Sequence, residues 1–247
     1  MALQDRNEII DVSRQNGASP VVLVCEHASH HIPAELGDLG LSRQARFSHI
    51  AWDPGALGVS RAMSDDLDAT LVASTVSRLV YDCNRPPEAH DAMPAKSEAF
   101  DIPGNAGLTE AARQDRARRY YDPFRKALAA EIARKPMPVV VTVHSFTPIY
   151  NGIPRDVEIG ILHDTDARFA DALLDVATGF DVQRNAPYGP QDGVTHTLKR
   201  HSLPQGHLNV MIEIRNDLIK TDADQIDMGH RLAGWVAKAL VQTKAML

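Results

Sequence analysis

The sequence predicts an α/β fold: one domain on a mixed, mostly parallel β-sheet, with helices on both faces. Three observations carry that expectation. Apolar, often β-branched runs of strand length recur at residues 21–25, 70–75, 139–143, 157–162 and 210–214. Segments with helical spacing of apolar residues lie between and after them, at 57–67, 109–135, 166–177 and 223–244. Strands alternating with helices build layered sheets. No internal repeat, low-complexity tract or linker-like shift in composition interrupts the chain, so residues 1–247 read as a single domain with 1–18 as a peripheral segment.

Each element has a local reason. Residues 21–25 (Val-Val-Leu-Val-Cys) form a continuous apolar run that stops at Glu26-His27. Pro54-Gly55 opens a helix over 57–67. Strands follow at 70–75 and 78–81, and the second ends in Asp82-Cys83-Asn84-Arg85 before a Pro-Pro stop. Residues 86–108 carry prolines, glycines and asparagine without a period and read as a long ordered loop, of a length that usually marks function. Thr109 is placed to cap a long helix ending near Lys135, with Glu110 at its positive end. Pro123 should kink or restart that helix, with Asp122 as a second cap. Val139 to Val143 is the kind of run buried on both faces of a sheet.

Composition excludes several function classes. The 247 residues are 44% hydrophobic and 23% charged, the profile of a globular protein. A net charge of -6 offers no general basic field for nucleic acid or an anionic membrane. An anionic substrate would therefore need locally placed cations. Two cysteines, Cys25 and Cys83, argue against a disulfide framework and fit a reducing cytoplasm. No secretory leader is visible at the start of the chain, and no apolar run reaches the length of a membrane span.

In open α/β sheets, ligands bind beyond the carboxyl ends of the strands. Polar groups cluster there: His27 after 21–25, Asn84 and Arg85 after 78–81, His144 and Ser145 after 139–143, and Glu213 near the end of 210–214. Two imidazoles and one carboxylate with a fourth position open make a hydrolytic zinc site. His27, Asp53 and His144 supply that set, and Glu213 is the candidate base. Arg78 and Arg85 make a fork-shaped trap for carboxylates and developing oxyanions. Other readings stay open: His27 as a loop-stabilising group, Asp53 as an ordinary helix cap, Glu213 as a buried partner for an arginine. His30 has a spacing a metal could use, and His196 and His201 are the remaining histidines best placed to approach the site. Dinucleotide and phosphate loops, the Gly-x-Ser-x-Gly elbow and the His-Glu-x-x-His motif are all absent. A thiol nucleophile at Cys25 fits poorly inside an apolar strand beside Glu26.

Six blocks carry a resemblance to a family: Val24-Cys25-Glu26-His27-Ala28-Ser29, Ser48-His49-Ile50-Ala51-Trp52-Asp53-Pro54-Gly55-Ala56, the Ser77 to Pro86 stretch, His144-Ser145-Phe146-Thr147-Pro148, Asn185-Ala186-Pro187-Tyr188 and Ile212-Glu213-Ile214-Arg215. In this order, over about residues 21–218, the chain resembles the N-formylglutamate amidohydrolases, themselves similar to zinc carboxypeptidases and aspartoacylases. The resemblance implies a zinc-exopeptidase-like sheet, one Zn²⁺, and cleavage of N-formyl-L-glutamate to formate and L-glutamate; the alternatives are the same chemistry on another small anionic N-acyl amino acid or amide, or a non-catalytic ligand-binding protein on this scaffold. It implies His27, Asp53 and His144 as metal ligands and Glu213 as the catalytic carboxylate. Arg78 falls on the oxyanion-stabilising arginine and Asn84-Arg85 on the pair that binds the α-carboxylate, with Ser145 beside them. Arg155 is a candidate second cation for a glutamate side chain, or a partner of Asp156 or Glu158. The wider group has its acidic ligand three residues after the first histidine, where this chain has His30, so Asp53 is the choice and Glu26 the fallback.

Overall fold

The computed structural model describes residues 9–245; residues 1–8, part of the segment expected at the periphery, lie outside the described residues. The chain runs β1 (Ile10–Ser13), β2 (Val21–Cys25), α1 (Arg43–Phe47), α2 (Ala56–Leu67), β3 (Thr70–Ser74), β4 (Lys96–Ser97), β5 (Phe100–Asp101), α3 (Glu110–Arg116), α4 (Asp122–Ala133), β6 (Val139–Phe146), β7 (Ile149–Tyr150), β8 (Ile153–Pro154), β9 (Ile159–Leu162), α5 (Arg168–Val176), β10 (Val182–Arg184), α6 (His196–His201), β11 (Leu208–Arg215) and α7 (Asp222–Ala245).

Seven strands form one sheet in the order β1-β3-β2-β6-β11-β9-β10. The four central strands, β3, β2, β6 and β11, are mutually parallel. Edge strand β1 is antiparallel to β3, and β9 is antiparallel to β11 with β10 parallel to β9. The sheet is therefore mixed and mostly parallel, as the sequence predicts.

Both faces are covered, which explains the unbroken apolar runs. Val21, Leu23, Val141, Val143, Ile212 and Ile214 pack on one side against α2, α5 and α7. Val22, Val24, Val72, Val140 and Met211 pack on the other, against α4, the Leu79–Tyr81 region and Leu198 of α6. Because side chains alternate along a strand, Glu26, His144 and Glu213 all belong to this second face.

Several expectations need correction. Residues 78–81 are a turn, not a strand. The Ser77 hydroxyl accepts from Leu79 N–H at 3.1 Å and donates to Ala51 O at 2.7 Å, while Val80 N–H returns to Ser77 O. The side chains of Leu79, Val80 and Tyr81 are buried by packing under the sheet, so their apolarity mimics a strand. The helix capped by Thr109, whose hydroxyl accepts from Ala112 N–H, is not simply restarted at Pro123. A π-turn at Ala117–Tyr121 joins α3 to α4 and absorbs the hydrogen bond that proline cannot make. Asp122 has helical angles and is not a cap. Strands β1 and β10 have no counterpart among the expected elements, because edge strands with polar faces lack the apolar signal. The long loop 86–108 carries the β4–β5 hairpin.

Gly160, in β9, pairs with Glu213 of β11. A Cβ at Gly160 would collide with the Ala186 carbonyl. The absence of a side chain lets the segment leading to Tyr188 cross the sheet beside Glu213. Gly160→Ala is expected to destabilise by about 1–3 kcal/mol, read as a lowered urea midpoint; an unchanged midpoint would contradict this packing.

Candidate functional site

A cavity of about 340 Å³ opens over the carboxyl ends of β2, β6 and β11, lined among others by His27, Asp53, Arg78, Arg85, His144 and Glu213. At its floor, atoms from three elements converge. His27 follows β2, His144 is the sixth residue of β6, and Asp53 precedes α2. Asp53 Oδ2 lies 3.2 Å from His27 Nδ1 and 2.9 Å from His144 Nδ1, and the two Nδ1 atoms are 3.2 Å apart. Asp53 is not the cap of α2. Gly55, at φ 85°, holds the cap position, and the chain's left-handed step there frees the Asp53 side chain to turn inward.

The far nitrogen of each imidazole faces a carboxylate. His27 Nε2 is 2.7 Å from Asp82 Oδ1, and His144 Nε2 is 3.2 Å from Glu26 Oε2. Asp82 also accepts from Arg78 Nη2 at 2.8 Å and from the Asn84 N–H at 2.9 Å. Arg78 reaches Asp53 Oδ1 at 3.4 Å and keeps 28% of its side chain exposed. Glu26 therefore stands behind His144 and not among the converging atoms.

The three converging atoms fit a divalent cation. Ligands about 2.0–2.2 Å from a tetrahedral ion lie roughly 3.3–3.6 Å from each other, close to the separations found here. Charge leads to the same conclusion. Glu26, Asp53 and Asp82 are all buried around two imidazoles, with Arg78 the one guanidinium bonded within the cluster among the described residues. Three carboxylates against one cation leave a deficit of positive charge that a dication fills. Without an ion, protons fill it. Burial alone would lower the pKa of His144, but Glu26 and Asp53 outweigh it and hold the pKa well above the ordinary value. For His27, burial and Arg78 act downward, yet Asp82 and Asp53 give a net rise. Asp53 is itself held far below the usual carboxylate range, since both imidazoles overcome the upward push of burial.

Glu213 sits opposite His144 in the β6–β11 register. It is 5% exposed, and its Oε2 has no hydrogen-bond partner among the described residues. Burial pushes its pKa up to about 7. A carboxylate near neutrality with a free oxygen in a cavity has the properties of a general base.

The other expected site residues take varied positions. Arg85 lines the cavity and pairs with Asp91 at 2.7 Å. Asn84 donates to Val194 O and accepts from Thr197 N–H, which leaves one amide hydrogen for a ligand. The Ser145 hydroxyl donates to Pro54 O and its N–H points to Asp53 Oδ2. Arg155 pairs with neither Asp156 nor Glu158; Arg215 takes Glu158 instead. The Arg155 guanidinium lies over the rings of Tyr150, Tyr188 and Phe146, at 4.4, 4.8 and 5.6 Å. These three rings line the cavity and Arg155 stands behind them. His30 packs on Phe47 and Trp52, away from the cluster. His196 bonds Tyr121 and, like His201, is pushed down to about 4 by burial; neither lines the cavity.

Sequence reasoning missed several groups. Asp82 stood inside the Asp-Cys-Asn-Arg block, yet only its contact with His27 reveals its part. Lys96 and Glu98 enter the cavity wall from the β4–β5 hairpin, and Glu98 meets His49 at 2.5 Å. Tyr188 joins the wall with its pKa raised to about 12 by burial. Only the length of the loop 86–108 hinted at the hairpin's contribution.

The raised imidazole pKa values fix the sign of a pH effect. Protons and metal compete for His27 and His144, so binding releases protons and the apparent affinity falls as pH falls. Calorimetric titration with Zn²⁺ from about pH 6 to about pH 8, in buffers of different protonation enthalpy, is expected to show proton release and tightening as pH rises. Affinity independent of pH would contradict the placement of both imidazoles.

No curated protein matches the chain. Among solved structures, the gene product Atu2144 from Agrobacterium tumefaciens is 52% identical, covers 96% of each chain and superposes with a TM-score of 0.94. An N-formylglutamate amidohydrolase from Ralstonia eutropha JMP134 shares the fold at 19% identity, with a TM-score of 0.62 over 96% of this chain and 99% of that one. The description N-formylglutamate amidohydrolase also belongs to the family that matches residues 19–220. With most of its length matched, the chain belongs to the N-formylglutamate amidohydrolase family.

Proposed function

We propose that this family member is a zinc-dependent hydrolase of a linear amide bond, cleaving N-formyl-L-glutamate to formate and L-glutamate. The observation that carries the reading is the meeting of His27 Nδ1, His144 Nδ1 and Asp53 Oδ2 beside Glu213. A divalent ion held by those three residues would acidify a bound water and polarise the formyl carbonyl. Glu213 takes a proton from the attacking water as its oxygen bonds to the formyl carbon. When the C–N bond breaks, Glu213 returns that proton to the departing amino nitrogen, so formate leaves with the water oxygen and glutamate with the hydrogen.

The cations in the cavity wall, and Arg155 behind it, are assigned to the substrate's anionic groups. Arg78, held by Asp53 and Asp82 in a fixed orientation, faces the developing oxyanion, a contact of the kind worth about 3–4 kcal/mol. Arg85, with the spare amide hydrogen of Asn84, receives the α-carboxylate. Ser145 shapes the floor through its bonds to Pro54 and Asp53. Arg155, with no carboxylate partner among the described residues, is the cation for the distal carboxylate, approached between Tyr150 and Tyr188. Both cysteines are free and buried, in keeping with a reducing, cytoplasmic setting. Among the described residues no helix is long and apolar enough to cross a membrane.

Formate release from N-formyl-L-glutamate, measured beside other N-formyl and N-acetyl amino acids, tests the substrate. Glu213→Gln is expected to lower kcat at least about 100-fold while bound zinc stays at one per chain. Near-normal turnover in that variant would remove Glu213 from its role.

A further inference from the structure

We propose that Glu26 is a positioning residue of the metal centre: from behind His144 it holds that imidazole with the proton on Nε2 and Nδ1 turned toward His27 and Asp53. The inference rests on the metal reading above and adds a residue that the proposed reaction does not use.

The backbone places it. In the parallel β2–β6 pair, Val24 faces Thr142. Two residues further on, His144 is still within β6 and Glu26 is the first residue past β2, continuing the face of Val22 and Val24. Glu26 Oε2 comes within 3.2 Å of His144 Nε2, the ring nitrogen pointing away from the cluster. Both side chains are buried. The approach is that of an ion pair: among the described residues no donor is aligned on either Glu26 oxygen, and His144 Nε2 has no other partner. An imidazole ring separates Glu26 from the converging atoms, so it is not a ligand in this arrangement.

Packing gives no reason for a carboxylate here. A buried carboxylate without donors is costly, and an apolar side chain of similar size would fill the space at lower cost. His144 provides the main compensation, with a lesser contribution from the Thr197 hydroxyl. Asp82 stands behind His27 in the same way, but it also bonds Arg78 and the Asn84 N–H, which gives it structural work. Glu26, by contrast, meets no guanidinium or backbone N–H among the described residues. A carboxylate on the distal nitrogen of a ligating histidine fixes the tautomer and strengthens the donor atom, and its loss typically weakens metal binding about 10–100-fold.

The test is competition of the metal-free full-length protein against a chromophoric chelator for Zn²⁺, comparing wild type with Glu26→Gln and Glu26→Ala. Thermal unfolding of the metal-free forms is followed alongside. The dissociation constant is expected to rise about 10–100-fold, with metal-free unfolding midpoints little changed. A group that merely supports the fold would instead lower those midpoints and leave affinity intact. A second measurement needs no variant: ¹⁵N-histidine spectra of the zinc-loaded wild type should show His144 protonated at Nε2. Zinc affinity within about twofold of wild type in both variants, or a proton on His144 Nδ1, would overturn the inference. Wild-type protein that binds zinc with this tautomer yet releases no formate would overturn the proposed substrate and uphold the role of Glu26.

Discussion

Three buried carboxylates gathered around two imidazoles and one guanidinium govern the carboxyl end of this sheet. Isolated buried charge is too costly to persist, so each member needs the others. Asp53 touches both histidines; Asp82 joins His27 to Arg78; Glu26 lies against His144. What the protein itself lacks is enough positive charge. Protons on His27 and His144 or a divalent ion between them can supply it, and the choice between the two is the chemistry of the site.

The sheet makes such a gathering affordable. Parallel strands β2, β6 and β11 run side by side with both faces covered; strand alternation puts His144 and Glu213 on one face, and Glu26 follows directly on the end of β2. Loops supply the rest: Asp53 through the Gly55 step, Arg78 to Arg85 through the Ser77-capped turn, and Tyr188 through the passage that Gly160 leaves open. Strand ends thus carry His144 and Glu213, and the loops that meet there carry the rest.

His27, His144 and Glu213 were legible in the sequence because each interrupts or ends an apolar run, where a polar group has no reason to be unless it has partners. Asp53 was ambiguous, since Asp-Pro-Gly reads equally well as a helix start, and only the backbone angle at Gly55 separates the readings. The central strands and the main helices followed from apolar periodicity. The turn after β3 did not, because Leu79, Val80 and Tyr81 are buried by the loop's packing and not by a ladder. Nor could the sequence show that Asp82 and Glu26 stand behind the histidines, that Arg155 is boxed by three rings, or that the β4–β5 hairpin walls the cavity. The two contacts behind the histidines join residues 55 and 118 positions apart in the chain, His27 to Asp82 and Glu26 to His144.

Crystals of zinc-loaded protein, with anomalous scattering recorded on both sides of the zinc absorption edge, test the central claim most directly. One anomalous peak per chain is expected, within bonding distance of His27 Nδ1, His144 Nδ1 and an Asp53 oxygen. A fully loaded protein whose peak lies elsewhere, or is bound through Glu26 in place of Asp53, would contradict the assignment.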